Sequence, residues 1–399
     1  MKRVSFVLLG ATTVATIAVM WSRDKWATSI PEVAMCLIAL LWGLQMTLGR
    51  TVRSAAVMLP LALVILLAGL QIMTGTTVYA WTTRMAALYW AGNLATFFVA
   101  LQVLTERESR LRYFNALLGF ATFVCLFSSV QAMTSTGTIY WTFKDKFLYT
   151  PLFGPFLYIN QYAAFVELVL PIAIYGALTR QKGKVLCILA SAVMVGSVVY
   201  SGSRGGSALV LLEVAVVPFL VARRWGITRQ QLINTGVVLA VALLWVGVAA
   251  GPERLVSKLS SDDTMAVRRD FNQSSLAMIK ARPLQGFGLG NWATAYPGYA
   301  SFDDGKYANQ AHNDWAQWTV EGGIPMLILM LLVAGWAIPR AWRSGWGFGV
   351  VAIFLHCLWD YPIQRTGVAI VFFTMLAAIA PYGAAAVKES TAEENEEYE

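Results

Sequence analysis

Ala311-His312-Asn313-Asp314 holds one of only two histidines in the 399-residue chain, directly ahead of an apolar run that begins near Trp315. The positive end of a helix disfavours imidazolium, so His312 is kept neutral there and able to take a proton from a sugar hydroxyl as a general base. A satisfied polar histidine is the plain alternative. Asp314, Gln317 and Glu321 follow at helical spacing. They put two acids and an amide on one face entering the membrane, with Glu321 positioned to orient an Arg or His. Asn160, Gln161 and Glu167 make a comparable polar face on another apolar run. They either contact sugar or bridge neighbouring helices, since Asn and Gln hydrogen-bond well inside bundles.

The second chemistry is anion binding. Arg204 lies in Ser201-Gly202-Ser203-Arg204-Gly205-Gly206, between two apolar runs that leave almost no loop, so its guanidinium sits at or below the membrane interface. A charge at the bilayer centre costs about 2.5–3.5 kcal/mol on insertion scales, and intramembrane charges therefore mark ligand paths. An arginine snorkelling from a helix end is the alternative. The flanking glycines favour binding, because they let backbone amides and Arg204 approach an anion together. Arg268 and Arg269 open an amphipathic segment, where a planar, permanently charged fork grips two phosphate oxygens of a diphosphate. Attraction to anionic headgroups is an equal reading of that pair.

Other candidates are weaker. Gly286-Phe287-Gly288-Leu289-Gly290 follows no strand and is no nucleotide fingerprint; it reads as a flexible turn. Trp292, Tyr296, Tyr299, Trp315 and Trp318 suit sugar stacking and interfacial belts alike. Asp262-Asp263 and Asp303-Asp304 suit a divalent cation, but the first outside loop offers only Asp24, so no metal is required. Cys36, Cys125, Cys187 and Cys357 lie in apolar stretches without CxxC pairing and read as packing thiols. No cofactor is expected.

These residues must be carried by membrane helices. With 57% apolar and 13% charged residues, the chain has too few polar side chains to cover a water-facing globule of its size. The net charge of +8 falls in small clusters between apolar runs instead of one stripe, which excludes a nucleic-acid surface and sets topology. Runs near 4–20, 30–48, 54–73, 85–104, 112–133, 156–178, 184–201, 206–222, 232–250, 315–338, 344–358 and 364–386 predict an all-α polytopic protein of about twelve spans. The first run lacks a small-residue cleavage site at Trp21-Ser22-Arg23 and is retained as a helix. A cytoplasmic amino terminus places sixteen Lys and Arg inside and seven in short outside loops, so both termini are expected inside.

Four parts follow: spans 1–9 over 1–250, an outside loop over 251–314, spans 10–12 over 315–386, and an acidic, disordered cytoplasmic tail over 387–399. Within the loop, Ala266 to Arg282 carries Val267, Phe271, Leu276 and Ile279 among charges. It is expected to lie on the outer leaflet and to stop at Pro283.

In their order along the chain these residues resemble the superfamily of O-antigen ligases and Wzy-type O-antigen polymerases. The resemblance runs over roughly 150–375: Asn160-Gln161-Tyr162-Ala163 before Leu170-Pro171, Ser203-Arg204-Gly205-Gly206, Arg268 ahead of Arg282-Pro283-Leu284-Gln285-Gly286-Phe287-Gly288, Ala311-His312-Asn313-Asp314, Glu321-Gly322-Gly323-Ile324-Pro325, and His356 with Asp360-Tyr361-Pro362-Ile363-Gln364. It implies a GT-C-like helical glycosyltransferase of the bacterial inner membrane, with its site facing the periplasm. Such an enzyme takes glycan from undecaprenyl diphosphate without metal and inverts the anomeric centre. Arg204 and Arg268 would hold the departing diphosphate and His312 would deprotonate the acceptor. The doubled arginine leaves open whether Arg268 or Arg269 fills its place, and Asn272 stands at an aromatic position of the family. Asn160, Gln161, Asp314, Glu321 and Asp360 would support the site or contact glycan, and His356 reads as a packing or orienting residue.

The expected partners are the lipid-linked donor, membrane lipids, and either lipid A-core, as for a ligase, or a second glycan, as for a polymerase. No Arg has Gly eleven positions later, so the pattern associated with some polymerases is missing and ligase is favoured. A pilin-glycosylating relative lacks support because no large soluble domain follows the last run. A lipid or glycan transporter is the reading from another class, but it calls for internal repeats and midplane polar residues, whereas polar residues here crowd the outer side.

Overall fold

Long apolar runs with few breakers satisfy their backbone groups internally as helices, the form that a bilayer accepts. The computed structural model describes residues 1–22, 24–135, 137–143, 152–233, 236–237, 240, 263–301, 305 and 307–383, and among these residues it is helical, with only two isolated bridges of extended pairing. The helices are α1 (Lys2–Ala18), α2 (Lys25–Thr47), α3 (Met58–Met73), α4 (Ala80–Leu104), α5 (Arg107–Thr134), α6 (Ile159–Thr179), α7 (Lys184–Ser201), α8 (Arg204–Trp225), α9 (Asp263–Ala281), α10 (Trp292–Ala295), α11 (Asp314–Ser344), α12 (Phe348–His356) and α13 (Thr366–Ala378). Seven of the described helices are long and apolar enough to cross a membrane: α2, α4, α5, α6, α7, α8 and α11. The chain is a polytopic, all-α membrane protein. The expected span 232–250 and the tail 387–399 lie largely or wholly outside the described residues.

α6 is the axis of the bundle. Beyond Asn160, Gln161 and Glu167 it is mostly apolar, and it is buried along nearly its whole length, between α5, α7, α8, α12 and α13. Small residues let its neighbours approach closely. A Cβ on Gly206 of α8 would lie 2.2 Å from the Ala163 side chain, and one on Gly349 of α12 would lie 2.4 Å from the Glu167 carbonyl. α2 and α5 instead turn Leu37, Leu40, Leu44, Phe123, Leu126 and Met133 outward, as lipid-facing helices do.

Two departures from regular spans shape the site. The run expected to cross over 344–358 forms only nine helical residues, Phe348–His356, and α13 has thirteen. At 1.5 Å per residue they rise about 14 and 20 Å, less than a hydrocarbon core of about 30 Å. The turn between them is therefore drawn down into the bundle. The second departure is a break in α11 at Gly323, whose φ of 67° and ψ of −170° are non-helical and suit only glycine. The segment from Pro283 to Asn291 packs into this break. Ile324 N donates to Pro283 O (2.7 Å), Phe287 N to Val320 O (3.0 Å) and Gly288 N to Glu321 O (2.9 Å). Gly286-Phe287-Gly288-Leu289-Gly290, expected to be flexible, is pinned. Its glycines have positive φ because close backbone contact leaves no room for a side chain: a Cβ on Gly286 would lie 2.4 Å from Glu321 O.

α9 corrects the expectation of a helix lying on lipid. Its apolar face, with Phe271 and Met278, packs on Phe287, Trp292, Tyr296, Ala311 and Val320 to form a separate small core. Leu276 is on the exposed side. The module is closed by Asp270, which accepts from Tyr296 Oη (2.7 Å) and from Ser301 N and Oγ.

Candidate functional site

Asp360, in the turn after α12, joins four separate segments of the chain. Its Oδ2 accepts from Asn160 Nδ2 at the start of α6 and from Arg268 Nη2 of α9 (3.3 Å). Its Oδ1 accepts from Tyr361 N (2.9 Å) and lies 3.5 Å from His312 Nδ1. Behind Asn160 the chain of bonds continues into the start of α8: Ser203 Oγ donates to Asn160 Oδ1 (2.7 Å) and accepts from Gly206 N (3.2 Å), capping the helix that Arg204 opens. The side chain of Asp360 is only 6% exposed, against 25% for His312 and 30% for Arg268, so the carboxylate forms the floor and these two partners the rim. Burial alone would raise the Asp360 carboxyl, but the polar contact from His312 and the charges of His312, His356 and Arg268 hold it well below the usual carboxylate range.

His312 is held by more than its acidic neighbour. Its φ of 51° is in the left-handed region, a conformation costing about 1–3 kcal/mol that persists where surroundings impose it, often at functional sites. The ring stacks on Phe271 (6.0 Å between centroids, 15° between planes) and meets Tyr361 edge-on (4.8 Å, 80°). With Nδ1 turned to Asp360, Nε2 is the nitrogen left for an external proton, the arrangement of a carboxylate-oriented base.

Several residues expected to support the site or contact glycan are bonded within the fold. Asp314 is fully buried and ties α11 to the sunken turn, accepting from Ile363 N (3.2 Å) and Gln364 Nε2 (3.1 Å). Among the described residues Glu321 meets neither Arg nor His; its oxygens accept from Gly290 N (2.8 Å), Trp292 N (3.2 Å) and Gln317 Nε2 (3.0 Å), fixing the pinned loop. Gln161 is buried in the bundle, and Arg269 lies exposed beside the half-buried Arg268. Trp292, Tyr296 and Trp318 are core residues rather than open sugar platforms. Gly205 allows a close approach of Trp359: a Cβ there would lie 2.2 Å from Trp359 Nε1. His356 is fully buried, with Nδ1 2.9 Å from both oxygens of Glu167, which makes it an internal partner as expected of an orienting or packing residue.

Sequence reasoning missed Gln71 of α3. Its side chain donates to Gln285 O (2.8 Å) and Glu321 O (2.9 Å) and accepts from Leu289 N (3.0 Å), three anchors for the loop beside the site. A lone amide in the apolar run Leu59 to Met73 was the available signal. The aspartate pairs Asp262-Asp263 and Asp303-Asp304 lie outside the described residues or have side chains that do. Among the described residues no group of three or more His, Cys, Asp or Glu is placed to hold a metal ion.

A helical membrane bundle that brings an arginine, an asparagine and a histidine onto one buried carboxylate defines a class: a membrane protein with a polar, charge-bearing site among its helix ends. Residues 162–331 match the family described as O-antigen ligase, and this match supports the resemblance to the superfamily of O-antigen ligases and polymerases. The match covers α6 to α8, α9 and the first part of α11, hence Arg204, Arg268 and His312 but neither Asn160 nor Asp360. No curated protein matches the chain.

Proposed function

We propose that the chain is an inverting, metal-independent glycosyltransferase of the GT-C-like kind. In this reading it transfers glycan from undecaprenyl diphosphate to a hydroxyl of lipid A-core, as an O-antigen ligase does, at the outer face of a bacterial inner membrane with both termini cytoplasmic. The observation that carries this reading is the convergence of Asn160, Arg268 and His312 on Asp360, beside the helix start that bears Arg204. Arg204 and Arg268 take the diphosphate oxygens and stabilise the negative charge that grows as the bond from the anomeric carbon to phosphate breaks. His312 Nε2 takes the proton of the acceptor hydroxyl as its oxygen bonds to the opposite face of that carbon. Asp360 holds the imidazole and compensates its charge. Fixed guanidinium groups thus fill the place a divalent cation has in other transferases, and neither cofactor nor metal enters.

The test combines purified protein, lipid-diphosphate glycan and either lipid A-core or a second donor molecule, with products weighed by mass spectrometry. Glycosylated lipid A-core supports the ligase; a lengthened lipid-linked glycan makes it a polymerase. Donor loss without any transfer, or lipid movement in both directions, points to a transporter and removes the proposal.

Two outcomes are expected of variants. Arg204→Lys keeps charge but loses the planar fork, and Arg268→Ala loses both, so each weakens donor binding, by about 1.5–3 kcal/mol or roughly 10–150-fold for a charged hydrogen bond. Arg269→Ala leaves donor affinity within about twofold, as expected at an exposed position. Equal effects at positions 268 and 269 would show that general surface charge, and not the grip through Asp360, binds the donor. For topology, a cysteine placed at the exposed Ser301 reacts with an impermeant reagent from outside, while reporters at 180–184 and after Lys388 read as cytoplasmic. Protection of position 301 in intact cells excludes an outward-facing site.

A further inference from the structure

A cavity of about 390 Å³ opens at the end of the bundle opposite the candidate site, between the start of α5, the end of α6 and the 3₁₀ turn Ala380–Tyr382. Arg107 and Arg110 line it from α5, and Arg180 and Lys182 from the connection between α6 and α7; Phe114, Trp346 and Tyr382 give it an aromatic wall. No carboxylate lines it among the described residues. The nearest acids in sequence are turned to other cations, Glu106 to Lys2 and Glu108 to Arg112.

Arg110 is the deepest of the four, 8% exposed. Its guanidinium donates to Leu104 O (3.2 Å), Thr105 O (3.3 Å) and Tyr382 Oη (3.5 Å), all neutral oxygens, and lies 5.6 Å from the centre of the Tyr382 ring. Arg343 adds positive charge behind it, donating to Tyr382 O (3.5 Å). Arg110 is thus withdrawn from water with only neutral oxygens beside it, which is costly unless an anion is supplied, while Arg107, Arg180 and Lys182 stand at the more open mouth.

We propose that this cavity binds the phosphate of an anionic phospholipid headgroup. The required chemistry is a phosphate ester, which soluble phosphates also carry. The lipid is favoured by position. The cavity lies where membrane helices end, it is walled by Trp346 and Tyr382 as interfacial sites are, and basic pockets between helix ends are where headgroups concentrate. The inference is independent of the glycan-transfer reading, because it concerns the other end of the molecule.

Native mass spectrometry of the full chain tests it, after extraction from phosphatidylethanolamine vesicles containing a minor fraction of phosphatidylglycerol or cardiolipin. The wild type retains anionic lipid in preference to phosphatidylethanolamine. Each cation removed near a headgroup lowers affinity by about fivefold, so R107Q/R180Q/K182Q loses about a hundredfold. K182Q alone alters an exposed rim residue, preserves the fold, and loses about fivefold. Three results overturn the proposal. One is retention of phosphatidylethanolamine as firmly as of anionic lipid. Another is displacement of the lipid by equimolar inorganic phosphate or pyrophosphate, which makes a soluble phosphate the ligand. The third is lipid binding only after removal of 384–399, which makes that segment, with its six glutamates from Glu389 to Glu399, the occupant.

Discussion

His312→Ala abolishes measurable transfer, a loss of about 10²–10⁴ in rate, while donor affinity stays within a few-fold of wild type. The separation follows from where His312 sits. Its ring reaches Asp360 through Nδ1 and is clamped between Phe271 and Tyr361, so its removal takes away a proton acceptor without touching Arg204 or Arg268. A residue that merely packed the loop would lower stability and donor binding together. Single-turnover transfer and donor binding, measured on the same preparation, distinguish the two. His356→Ala is the internal control. His356 faces Glu167 inside the bundle, so its loss leaves a buried acid without its partner and costs stability, yet the folded fraction still transfers glycan. A dead His356 variant beside an active His312 variant would move the base to α12 and leave the family untouched.

The parts of this site that were legible in the sequence are those fixed by local chemistry. Arg204 between two apolar runs and His312 ahead of another announce themselves because charge and imidazole are costly or rare in such settings. Helix positions were legible for the same reason, since apolar length is a local property; α7 runs from Lys184 to Ser201, the limits the hydropathy gives. What was not legible depends on partners far apart in the chain. Asp314, Gln317 and Glu321 share a helix face, but only the fold shows that two of them serve as staples, Asp314 to the 363–364 turn and Glu321 to the Gly290–Trp292 amides. Glycine spacing suggested flexibility at 286–290. The break at Gly323, which supplies the carbonyls that pin that segment, carries no periodic signal. The short α12 was hidden too, because an apolar run of fifteen residues reads as a span whether or not a buried turn interrupts it. Asp360 looked like one supporting acid among several. It is the residue on which separate segments meet.

Asp360→Asn therefore damages both binding and chemistry, which no other single change at the site is expected to do. The amide keeps the volume and can still accept from Asn160 or Tyr361, but it carries no charge to hold Arg268 or to stabilise a protonated His312. Breaking a buried pair by removing one partner's charge costs about 3–5 kcal/mol. Here the cost is shared between a guanidinium that swings toward water and an imidazole that loses its orientation. Donor affinity falls about as far as in Arg268→Ala, and the transfer rate of the donor-bound enzyme falls by a further 10²-fold or so, as for loss of an orienting carboxylate. The double variant Asp360→Asn/Arg268→Ala separates the routes. If Asp360 acts on the donor through Arg268, adding the second change costs little more in affinity, whereas the loss in rate is the same with or without Arg268. Full additivity in affinity would mean that Asp360 and Arg268 act on the donor separately. An Asp360→Asn enzyme with normal turnover would mean that His312 needs no carboxylate to work.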